Sequence, residues 1–368
     1  MRILYDHQLF SRQSAGGASR YFFELLRYVA HVPDVQAELL VGMQSSAYPL
    51  RTLSSANLRI TGYDGPAVSG IWLYVVNEAF SNGVGLFRGK MDVYHPTLYR
   101  SLPLVRTRRL VATHHDCTQE RFPQEFRYAE KVMKAKKTLY QRADAIICVS
   151  EWCRKELLDF YDVDRSKTQV IYHGLTRLPR SPEAAHSLQK QLRKEYLLYV
   201  GSRATYKNFT GLLKAFHATG LAPSFDLLAL GGGALTSAEE KLIASLGIEK
   251  NVICLPLVSD ELLAEAYAGA QLFVYPSLSE GFGFPPLEAM SVGCPVLTSQ
   301  VSSIPEVCQD APFYFDPADR NSFTGELLRA LNDEPARQRV IARGREVAAQ
   351  YDWQKCGGET LALYRQCQ

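Results

Sequence analysis

Strand-like and helix-like segments alternate along the whole sequence, and no other feature limits the fold as strongly. Short apolar runs, rich in β-branched and aromatic residues, each give way to a longer segment with helical periodicity. Helices between consecutive strands indicate crossover connections, which build parallel sheets. Because roughly a dozen strands are many for one sheet, the sequence predicts an α/β fold with two doubly wound sheets. The predicted strands are residues 3–5, 39–41, 92–95, 110–113, 145–149, 169–172, 196–200, 225–230, 252–255, 272–275 and 295–298.

A proline-rich polar break separates the two predicted sheets. Residues 178–182 read Leu-Pro-Arg-Ser-Pro, and a charged segment follows before the next strand. We therefore predict one Rossmann-like domain over residues 1–176 and a second over residues 177–350. Residues 351–368 have the periodicity of a helix. A chain of 368 residues is long enough to bury two such cores.

Composition and charge argue against several classes of function. A net charge of +3 is too small to indicate a nucleic-acid-binding protein. No apolar run approaches the roughly 18 residues of a membrane span, and the N-terminus enters a strand without the apolar run of a signal peptide. The eight cysteines form no Cys-x-x-Cys pair, so neither a zinc site nor a redox motif is indicated. We expect a cytoplasmic protein.

Two glutamates lie eight positions apart in the sequence Glu-Gly-Phe-Gly-Phe-Pro-Pro-Leu-Glu at residues 280–288. Glu280 follows the apolar run 272–275, which we interpret as a buried strand, on a loop that contains glycine. A helix predicted to begin at Leu287 places Glu288 in its first turn. Ligands of open α/β sheets bind at this edge, and the free N–H groups at the start of a helix favour phosphate. The alternative is a helix-capping glutamate followed by a solvated one.

A second loop carries two cations. Gly201 follows the predicted strand 196–200, and Arg203 and Lys207 come after it, four positions apart. On a turn or a first helical turn both side chains can face one ligand, where arginine offers a planar fork and lysine a point charge. These two cations are therefore candidates for gripping a diphosphate, and a solvated loop is the alternative.

Two histidines and an aspartate follow a predicted strand in the first half of the chain. Residues 112–116 read Ala-Thr-His-His-Asp. His115 and Asp116 are the candidates for function, because a histidine can donate to a hydroxyl at neutral pH. His114 is the rival, since neighbouring strand residues point to opposite faces. A loop histidine without a role is the remaining interpretation.

Two glycines in the loop after the first predicted strand permit close approach of the backbone to a ligand. These are Gly16 and Gly17, with Arg20 just beyond them. Their spacing is not the Gly-x-Gly-x-x-Gly of a dinucleotide site. Residues 231–233 are three successive glycines that also lack this spacing. We predict a tight strand-to-helix turn at that second position.

Taken together, these motifs resemble those of the retaining glycosyltransferases of family 4, which have the GT-B fold. The resemblance covers nearly the whole chain and is diffuse between residues 45 and 90. It implies two Rossmann-like doubly wound domains that face each other across a cleft, and a C-terminal helix that crosses back to the first domain. The pattern Gly-Gly-x-x-Arg-Tyr-Phe at residues 16–22 is most similar to that of bacterial surface-polysaccharide mannosyltransferases.

The resemblance also implies a role for each candidate residue. His115, with Asp116, would face the donor sugar, and Arg203 and Lys207 would neutralise the diphosphate of the donor. Glu280 would hold sugar hydroxyls, and Glu288 the ribose hydroxyls. The catalytic residues implied in this way are His115, Asp116, Glu280, Arg203 and Lys207. The substrate-binding residues are Gly16, Gly17, Arg20, Gly201, Arg203, Lys207, Glu280, Gly281, Phe282, Gly283, Phe284 and Glu288.

The expected reaction moves a hexose, with retention, from a nucleotide sugar to a saccharide or lipid-linked saccharide acceptor in surface-polysaccharide synthesis. GDP-mannose is the best match for the donor, and UDP-glucose, UDP-N-acetylglucosamine or dTDP-rhamnose fit the same scaffold. The base is expected near residues 255–259. Two different functions stay open, a sugar-nucleotide epimerase and a non-catalytic protein that binds a sugar nucleotide. Because the nucleotide sugar is a substrate, no cofactor is expected.

Two further patterns have a structural interpretation as the default. Asp162 and Asp164 have the Asp-x-Asp spacing of a metal motif, but we interpret them as part of a surface turn and expect no metal. A basic stretch in a predicted helix is interpreted as a solvated face. The alternative is a dock for anionic lipid headgroups, with the protein peripheral on the inner face of the cytoplasmic membrane. The stretch consists of Arg127, Lys131, Lys134, Lys136, Lys137 and Arg142.

Overall fold

The computed structural model describes residues 1–12, 16–44, 46–64, 71–99, 106–256 and 259–367. The chain divides into two compact units, the first formed by Met1–Gly174 with Asp352–Gln368 and the second by Leu175–Tyr351. Each unit combines a parallel β-sheet with helices, so the predicted α/β class with two parallel sheets is confirmed. No helix among the described residues is long and apolar enough to cross a membrane.

Strands and helices alternate in the N-terminal part of the first unit. In chain order its elements are β1 (Arg2–Tyr5), α1 (Gln8–Arg12), α2 (Gly17–Val29), β2 (Gln36–Gln44), β3 (Leu58–Asp64), α3 (Ile71–Leu86), β4 (Met91–His95), β5 (Thr107–His114), α4 (Thr118–Arg121), α5 (Ala129–Arg142), β6 (Ala145–Cys148), α6 (Glu151–Phe160) and β7 (Thr168–Val170). Short 3-10 turns occupy Leu50–Leu53, Pro123–Glu125 and Arg165–Lys167.

The described strands of the first unit form one sheet in the order β3-β2-β1-β4-β5-β6-β7. Every neighbouring pair is parallel. This register places Tyr5 beside His95, and His114 beside Cys148, at the carboxyl ends of their strands. Strand β3 lies outside the predicted set because it is an edge strand whose sequence lacks a clear apolar run. Of its side chains with described burial, Leu58 alone is fully buried.

The second unit repeats the alternation. Its elements are α7 (Pro182–Gln189), β8 (Glu195–Val200), α8 (Phe209–Ala218), β9 (Phe225–Leu230), α9 (Ser237–Leu246), β10 (Val252–Leu255), α10 (Asp260–Gly269), β11 (Leu272–Tyr275), α11 (Phe284–Ser291), β12 (Val296–Ser299), α12 (Ile304–Cys308), β13 (Phe313–Phe315), α13 (Arg320–Asn332) and α14 (Glu334–Ala348), with a 3-10 turn at Thr205–Lys207. The last helix of the chain, α15 (Trp353–Gln366), belongs to the first unit.

The sheet of the second unit has the described strand order β10-β9-β8-β11-β12-β13, again with parallel neighbours. Strand β8 lies between β9 and β11, and Leu198 pairs with Phe273. Because the carboxyl ends of parallel strands share one edge of the sheet, the loops that follow β8, β9 and β11 meet at that edge. Strand β13 was not predicted, since its three residues are too short for a periodic signal.

Local sequence signals begin and end the helices of the second unit. The proline-rich break leads straight into α7, because Ser181 caps it by accepting from Ala184 N and Pro182 lies at its start. Helix α9 begins with a capping box formed by Thr236 and Glu239. It ends at Gly247, whose φ of 66° suits a residue without a β-carbon.

The terminal helix α15 packs against α2 within the first unit. Gly357 allows this close approach, since a β-carbon there would lie 2.3 Å from the ring of Tyr28. The hydroxyl of Tyr364 lies 2.5 Å from Nδ1 of His95 and 3.2 Å from the hydroxyl of Tyr5. The helix therefore completes the buried polar network beside the central strands β1 and β4.

Candidate functional site

A lysine and a glutamate form an ion pair at the carboxyl edge of the second sheet. Lys207, after β8, places Nζ 2.6 Å from Oε1 of Glu280, after β11. The hydroxyl of Tyr275 donates to the same oxygen at 2.6 Å. The side chains of Lys207 and Glu280 are 16% and 12% exposed, so solvent and ligands can reach them. The structure thus brings together two residues that were predicted to contact a diphosphate and a sugar.

Two serines hold the backbone of the Glu280 loop. The N–H of Glu280 donates to Oγ of Ser302 at 3.0 Å. Oγ of Ser303 donates to the carbonyl oxygen of Glu280 at 2.9 Å and to that of Phe282 at 3.2 Å. These contacts fix the loop from the segment that follows β12. Sequence reasoning missed both serines, because they lie more than twenty residues away along the chain.

Helix α11 begins earlier than predicted. Its first residue is Phe284 rather than Leu287, because Gly283 adopts a φ of 102° and turns the chain into the helix. A β-carbon at Gly283 would also lie 2.8 Å from Cδ1 of Ile304, which leaves room for glycine alone. Prolines follow Phe284 in the first turn, where their missing N–H groups disrupt no helical bond. The prediction that Glu288 lies in the first turn is therefore wrong.

Glu288 lies in the second turn of α11 and is 6% exposed. The hydroxyl of Tyr267, on α10, donates to Oε2 of Glu288 at 3.1 Å. A buried carboxylate with a tyrosine donor is unlike the solvated glutamate of the alternative interpretation. Its predicted contact with a ribose remains a prediction, and Tyr267 is a partner that the sequence pattern did not indicate.

Arg203 makes its hydrogen bonds to the loop between β9 and α9 and to the first turn of α9. Its Nε donates to Oε1 of Glu239 at 2.9 Å, and its side chain is 3% exposed. Its other nitrogen atoms donate to the carbonyl oxygens of Gly231, Gly232, Gly233 and Ala234 at 2.6–3.3 Å. In this conformation Arg203 clamps a loop, whereas Lys207 pairs with Glu280. The predicted joint grip of both cations on one diphosphate stays a prediction.

The glycine loop clamped by Arg203 forms the tight turn that was predicted after β9. Gly231, Gly232 and Gly233 have φ values of 91°, 76° and 75°. Three successive left-handed residues are unfavourable for any other amino acid, so the glycines are required by the backbone. At Gly232 a β-carbon would also lie 2.7 Å from Nη1 of Arg203. Gly201, directly after β8, lies against this loop, since a β-carbon on Gly231 would be 3.1 Å from the carbonyl oxygen of Gly201.

The two candidate histidines of the first unit have different surroundings. His114 ends β5 and is fully buried, with Nδ1 2.9 Å from the hydroxyl of Tyr140 and Nε2 3.5 Å from Sγ of Cys117. His115 follows the strand and is partly exposed. Its Nε2 is a buried atom with no hydrogen-bond partner among the described residues. The ring of His114 is thus used by the core, whereas a contact of His115 with a ligand remains a prediction.

Aromatic rings surround His115. The ring centroids of Tyr21, His173 and Phe22 lie 5.7, 6.0 and 6.2 Å from that of His115. Burial lowers the pKa of His115 to about 4, despite the opposing effect of the neighbouring Asp116 carboxylate. The imidazole is therefore neutral at pH 7 and can donate from one nitrogen while it accepts at the other. Tyr21 belongs to the pattern at residues 16–22 but was not predicted as a site residue, and His173 was not identified from the sequence.

Asp116 is held beside His115. Its Oδ1 accepts from the N–H of Thr118 at 2.8 Å. Burial alone would raise its pKa, but the charge of Lys136 and the bonds from Thr118 outweigh burial and hold the pKa below the usual range. Asp116 is therefore a carboxylate at neutral pH.

The glycine pair of the first loop lies at the start of α2. Gly16 precedes the helix, and its carbonyl oxygen accepts from the N–H of Arg20 at 2.9 Å. Gly17 is the first helical residue. Residues 13–15, which lead into this loop, lie outside the described residues, as do residues 257–258 of the segment predicted to lie near the base. A ligand contact of Gly16, Gly17 or Arg20 remains a prediction.

The structure tests the interpretations of the Asp162–Asp164 pattern and of the basic stretch. The turn predicted at residues 162–164 is confirmed, because Oδ1 of Asp164 accepts from Ser166 N at 2.8 Å and a 3-10 turn follows. The solvated face predicted for the basic stretch is wrong for Lys136, whose side chain is fully buried against Glu120. The other five residues are exposed: Arg127, Lys131, Lys134, Lys137 and Arg142.

Two family profiles together match most of the chain. The profile described as Glycosyltransferase Family 4 matches residues 15–176, and that described as Glycosyl transferases group 1 matches residues 181–347. In sequence the chain is similar to the O-antigen chain mannosyltransferase B of Escherichia coli. The two are 35% identical over 285 residues, which cover 74% of this chain and 74% of the relative.

Solved structures show the same fold. Sucrose-phosphate synthase from Thermosynechococcus elongatus has a TM-score of 0.76 and 21% identity, over 99% of this chain and 98% of that chain. Anabaena HepE, solved in complex with UDP-glucose, has a TM-score of 0.74 and 17% identity, over 98% of this chain and 99% of that chain. With these likenesses the predicted GT-B fold is confirmed.

Proposed function

This chain belongs to the group 1, family 4 glycosyltransferases, and from that premise we propose that it transfers mannose from GDP-mannose to a saccharide or lipid-linked saccharide. The similarity to a protein named as an O-antigen chain mannosyltransferase supports mannose as the sugar and surface polysaccharide as the product. Transfer with retention of configuration and without a metal ion is part of the proposal. UDP-glucose is the second candidate donor, since it is bound in the complex of Anabaena HepE.

The pairing of Lys207 with Glu280 is the observation that carries the proposal. In a nucleotide sugar the diphosphate is bonded directly to the anomeric carbon, so its charge and the sugar hydroxyls are neighbours. A cation 2.6 Å from a carboxylate offers one partner to the phosphate and one to the hydroxyls. Lys207 can contact the phosphate next to the sugar, while Glu280 accepts from sugar hydroxyls. An ordinary surface ion pair would not need the further bonds from Tyr275 and Ser302.

The proposed reaction breaks the bond between the anomeric carbon and the diphosphate oxygen. Negative charge develops on the leaving nucleoside diphosphate, and Lys207 stabilises it together with N–H groups around residues 281–284. The acceptor hydroxyl attacks from the face that the diphosphate leaves, and its proton passes to a leaving phosphate oxygen. The bond to the acceptor oxygen thus forms with retention. Glu280 orients the sugar during this step, so its contribution is expected in kcat.

The other predicted residues keep their proposed roles. His115, held neutral, donates to a hydroxyl of the donor sugar, and Asp116 lies beside it. Glu288 accepts from the ribose hydroxyls, while the hydroxyl of Tyr267 donates to its Oε2. Arg203 orders the glycine loop, and its direct contact with diphosphate would require exchange of its bond to Glu239.

Contact with a membrane is proposed for the exposed basic residues of the first unit. Arg127, Lys131, Lys134 and Lys137 project from α5 or just before it and are exposed. Each basic residue near an anionic surface contributes about 1 kcal/mol of attraction. We propose that this face brings the enzyme to lipid-linked acceptors at the inner surface of the cytoplasmic membrane. Sedimentation with anionic and with neutral vesicles tests the contact, and equal binding to both would contradict it.

A screen of nucleotide sugars tests the proposed reaction. Thermal unfolding is measured with GDP-mannose, UDP-glucose, UDP-N-acetylglucosamine and dTDP-rhamnose in excess chelator. The stabilising donor is then incubated with acceptor, and the anomeric configuration of the product is read by NMR. We expect stabilisation by GDP-mannose and an α-linked product. Stabilisation only after a divalent metal is added would refute metal independence, and an inverted product would refute retention. Turnover of the donor without acceptor would favour an epimerase.

A further inference from the structure

We propose that Lys136 is a positioning residue for the His115–Asp116 segment, an inference that rests on the proposed role of that segment in transfer. Lys136 lies on α5, between exposed lysines of the basic stretch. Its own side chain is fully buried, as is that of its partner Glu120 at 1% exposed. A lysine is almost never buried completely unless it is paired, so its place inside the unit calls for a reason.

The bonds of Lys136 converge on the loop that carries the candidate residues. Its Nζ donates to the carbonyl oxygen of Asp116 at 3.0 Å and to Oε1 of Gln119 at 3.0 Å. It also lies 3.0 and 3.1 Å from the two carboxylate oxygens of Glu120. The hydroxyl of Tyr161 donates to Glu120 as well. One ammonium group therefore ties residues 116, 119 and 120 together beneath the loop.

A second contact fixes the neighbouring peptide. Sγ of Cys153, in the first turn of α6, donates to the carbonyl oxygen of His115 at 3.2 Å. Successive carbonyl groups of the segment are thus held by two different helices, α6 and α5. With both carbonyls anchored, the backbone that aims the His115 ring has little freedom to rotate. The contact from Lys136 is the stronger of the two, because its donor carries a full charge.

Lys136 also acts on the segment through its charge. It counters the effect of burial on Asp116 and helps to keep this carboxyl ionised. The same charge opposes protonation of His115, in the direction in which burial already acts. Lys136 therefore favours the protonation states that the proposed reaction uses, a neutral His115 and an ionised Asp116.

A cycle of variants separates positioning from a merely structural ion pair. Lys136→Met leaves the buried Glu120 carboxylate without its cation, which should lower the unfolding midpoint by at least about 5 °C. Lys136→Met combined with Glu120→Gln removes both charges and should recover much of that midpoint. If Lys136 serves only as a counter-charge, turnover recovers as well. If Lys136 positions the segment, kcat stays reduced by at least about tenfold, since a misplacement of about 1 Å can cost 10²-fold.

The donor KM provides a second readout within the same cycle. Lys207 and Glu280 belong to the other unit, so the donor KM should stay within about threefold of wild type in every folded variant. Lys155→Met is the matched control, because this lysine lies in the same unit and is 62% exposed. Recovery of kcat together with stability in the double variant would overturn the proposal.

A further variant tests the role of Lys136 if the methionine variants do not fold. Glu120→Gln keeps Lys136 and its bond to the carbonyl of Asp116, so kcat should stay within about threefold of wild type. A tenfold loss in folded Glu120→Gln would overturn the proposal. His115→Ala separates this inference from the proposed function. If His115→Ala has the kcat of wild type, the segment has no role in transfer. If His115→Ala loses kcat while the double variant keeps the kcat of wild type, only the role of Lys136 is refuted.

Discussion

Replacing Lys207 by methionine removes the cation that the proposed reaction needs while it keeps the volume of the side chain. Nζ of Lys207 lies 2.6 Å from Oε1 of Glu280 and the lysine side chain is only 16% exposed, so its bonds to charged groups are little screened. A hydrogen bond to a charged group contributes about 1.5–3 kcal/mol. We therefore expect Lys207→Met to weaken the binding of GDP by about 10- to 150-fold.

Glu280→Gln should have the opposite effect on free GDP. The carboxylate of Glu280 pairs with Lys207 and repels a diphosphate, whereas the neutral amide of glutamine binds Lys207 more weakly and does not repel the diphosphate. Binding of GDP should then be unchanged or tighter, by up to about tenfold for a gain of about 1.4 kcal/mol. Transfer should fall, because the glutamine accepts more weakly from the sugar hydroxyls whose bonds strengthen in the transition state.

Isothermal titration calorimetry with GDP and with GDP-mannose, in excess chelator, measures both effects. Initial-rate kinetics of the same variants separates kcat from KM. Glu240→Gln is a matched control, because Glu240 is exposed on α9 in the same unit. If Glu280→Gln loses GDP as severely as Lys207→Met does, then Glu280 holds the nucleoside diphosphate itself. That result would refute the assignment of the cation to phosphate and of the carboxylate to sugar.

Three further expectations concern other parts of the site. Arg203→Met should lower the free energy of unfolding by about 1–3 kcal/mol in denaturant titrations, because Glu239 and four carbonyl oxygens lose their donor. His115→Ala should lower kcat more than it raises the donor KM, and the reverse pattern in steady-state kinetics would contradict its role. Glu288→Gln should weaken GDP and GDP-mannose alike by about 1–3 kcal/mol in calorimetry, and Tyr267→Phe should weaken both by less.

The strands that carry the site were predictable because they are buried on both faces. The runs at 196–200 and 272–275 have no solvated side to interrupt their apolar sequence, and they appear as β8 and β11. Two loops that follow neighbouring parallel strands must then share an edge. The proximity of Lys207 and Glu280 was therefore implied by the pattern, although the direct contact between them was not.

The surroundings of single side chains were not predictable in this way. Lys136 has exposed lysines on either side of it in sequence, and only the fold reveals that it faces the interior. Arg203 and Lys207 lie four residues apart, yet Arg203 pairs with Glu239, whereas Lys207, at the end of a 3-10 turn, pairs with Glu280. Spacing along a loop fixes no orientation, because the loop lacks the repeat that relates residues on a helix or strand. Partners such as Tyr267 and Ser303 lie too far along the chain for any local pattern to show them.

The start of α11 explains why so much of the diphosphate charge should depend on Lys207. A helix start normally offers several free N–H groups to an anion. In α11 the second and third residues are Pro285 and Pro286, which have no N–H to offer. The helix keeps its positive end but lacks a donor at these two positions, so backbone stabilisation of the leaving group is limited to the N–H groups around residues 281–284. Arg203 is engaged by Glu239 and the glycine loop and is 3% exposed, whereas Lys207 is 16% exposed. Of these two cations Lys207 is the more accessible to a diphosphate, and its replacement should therefore cost an amount near the upper end of the expected range.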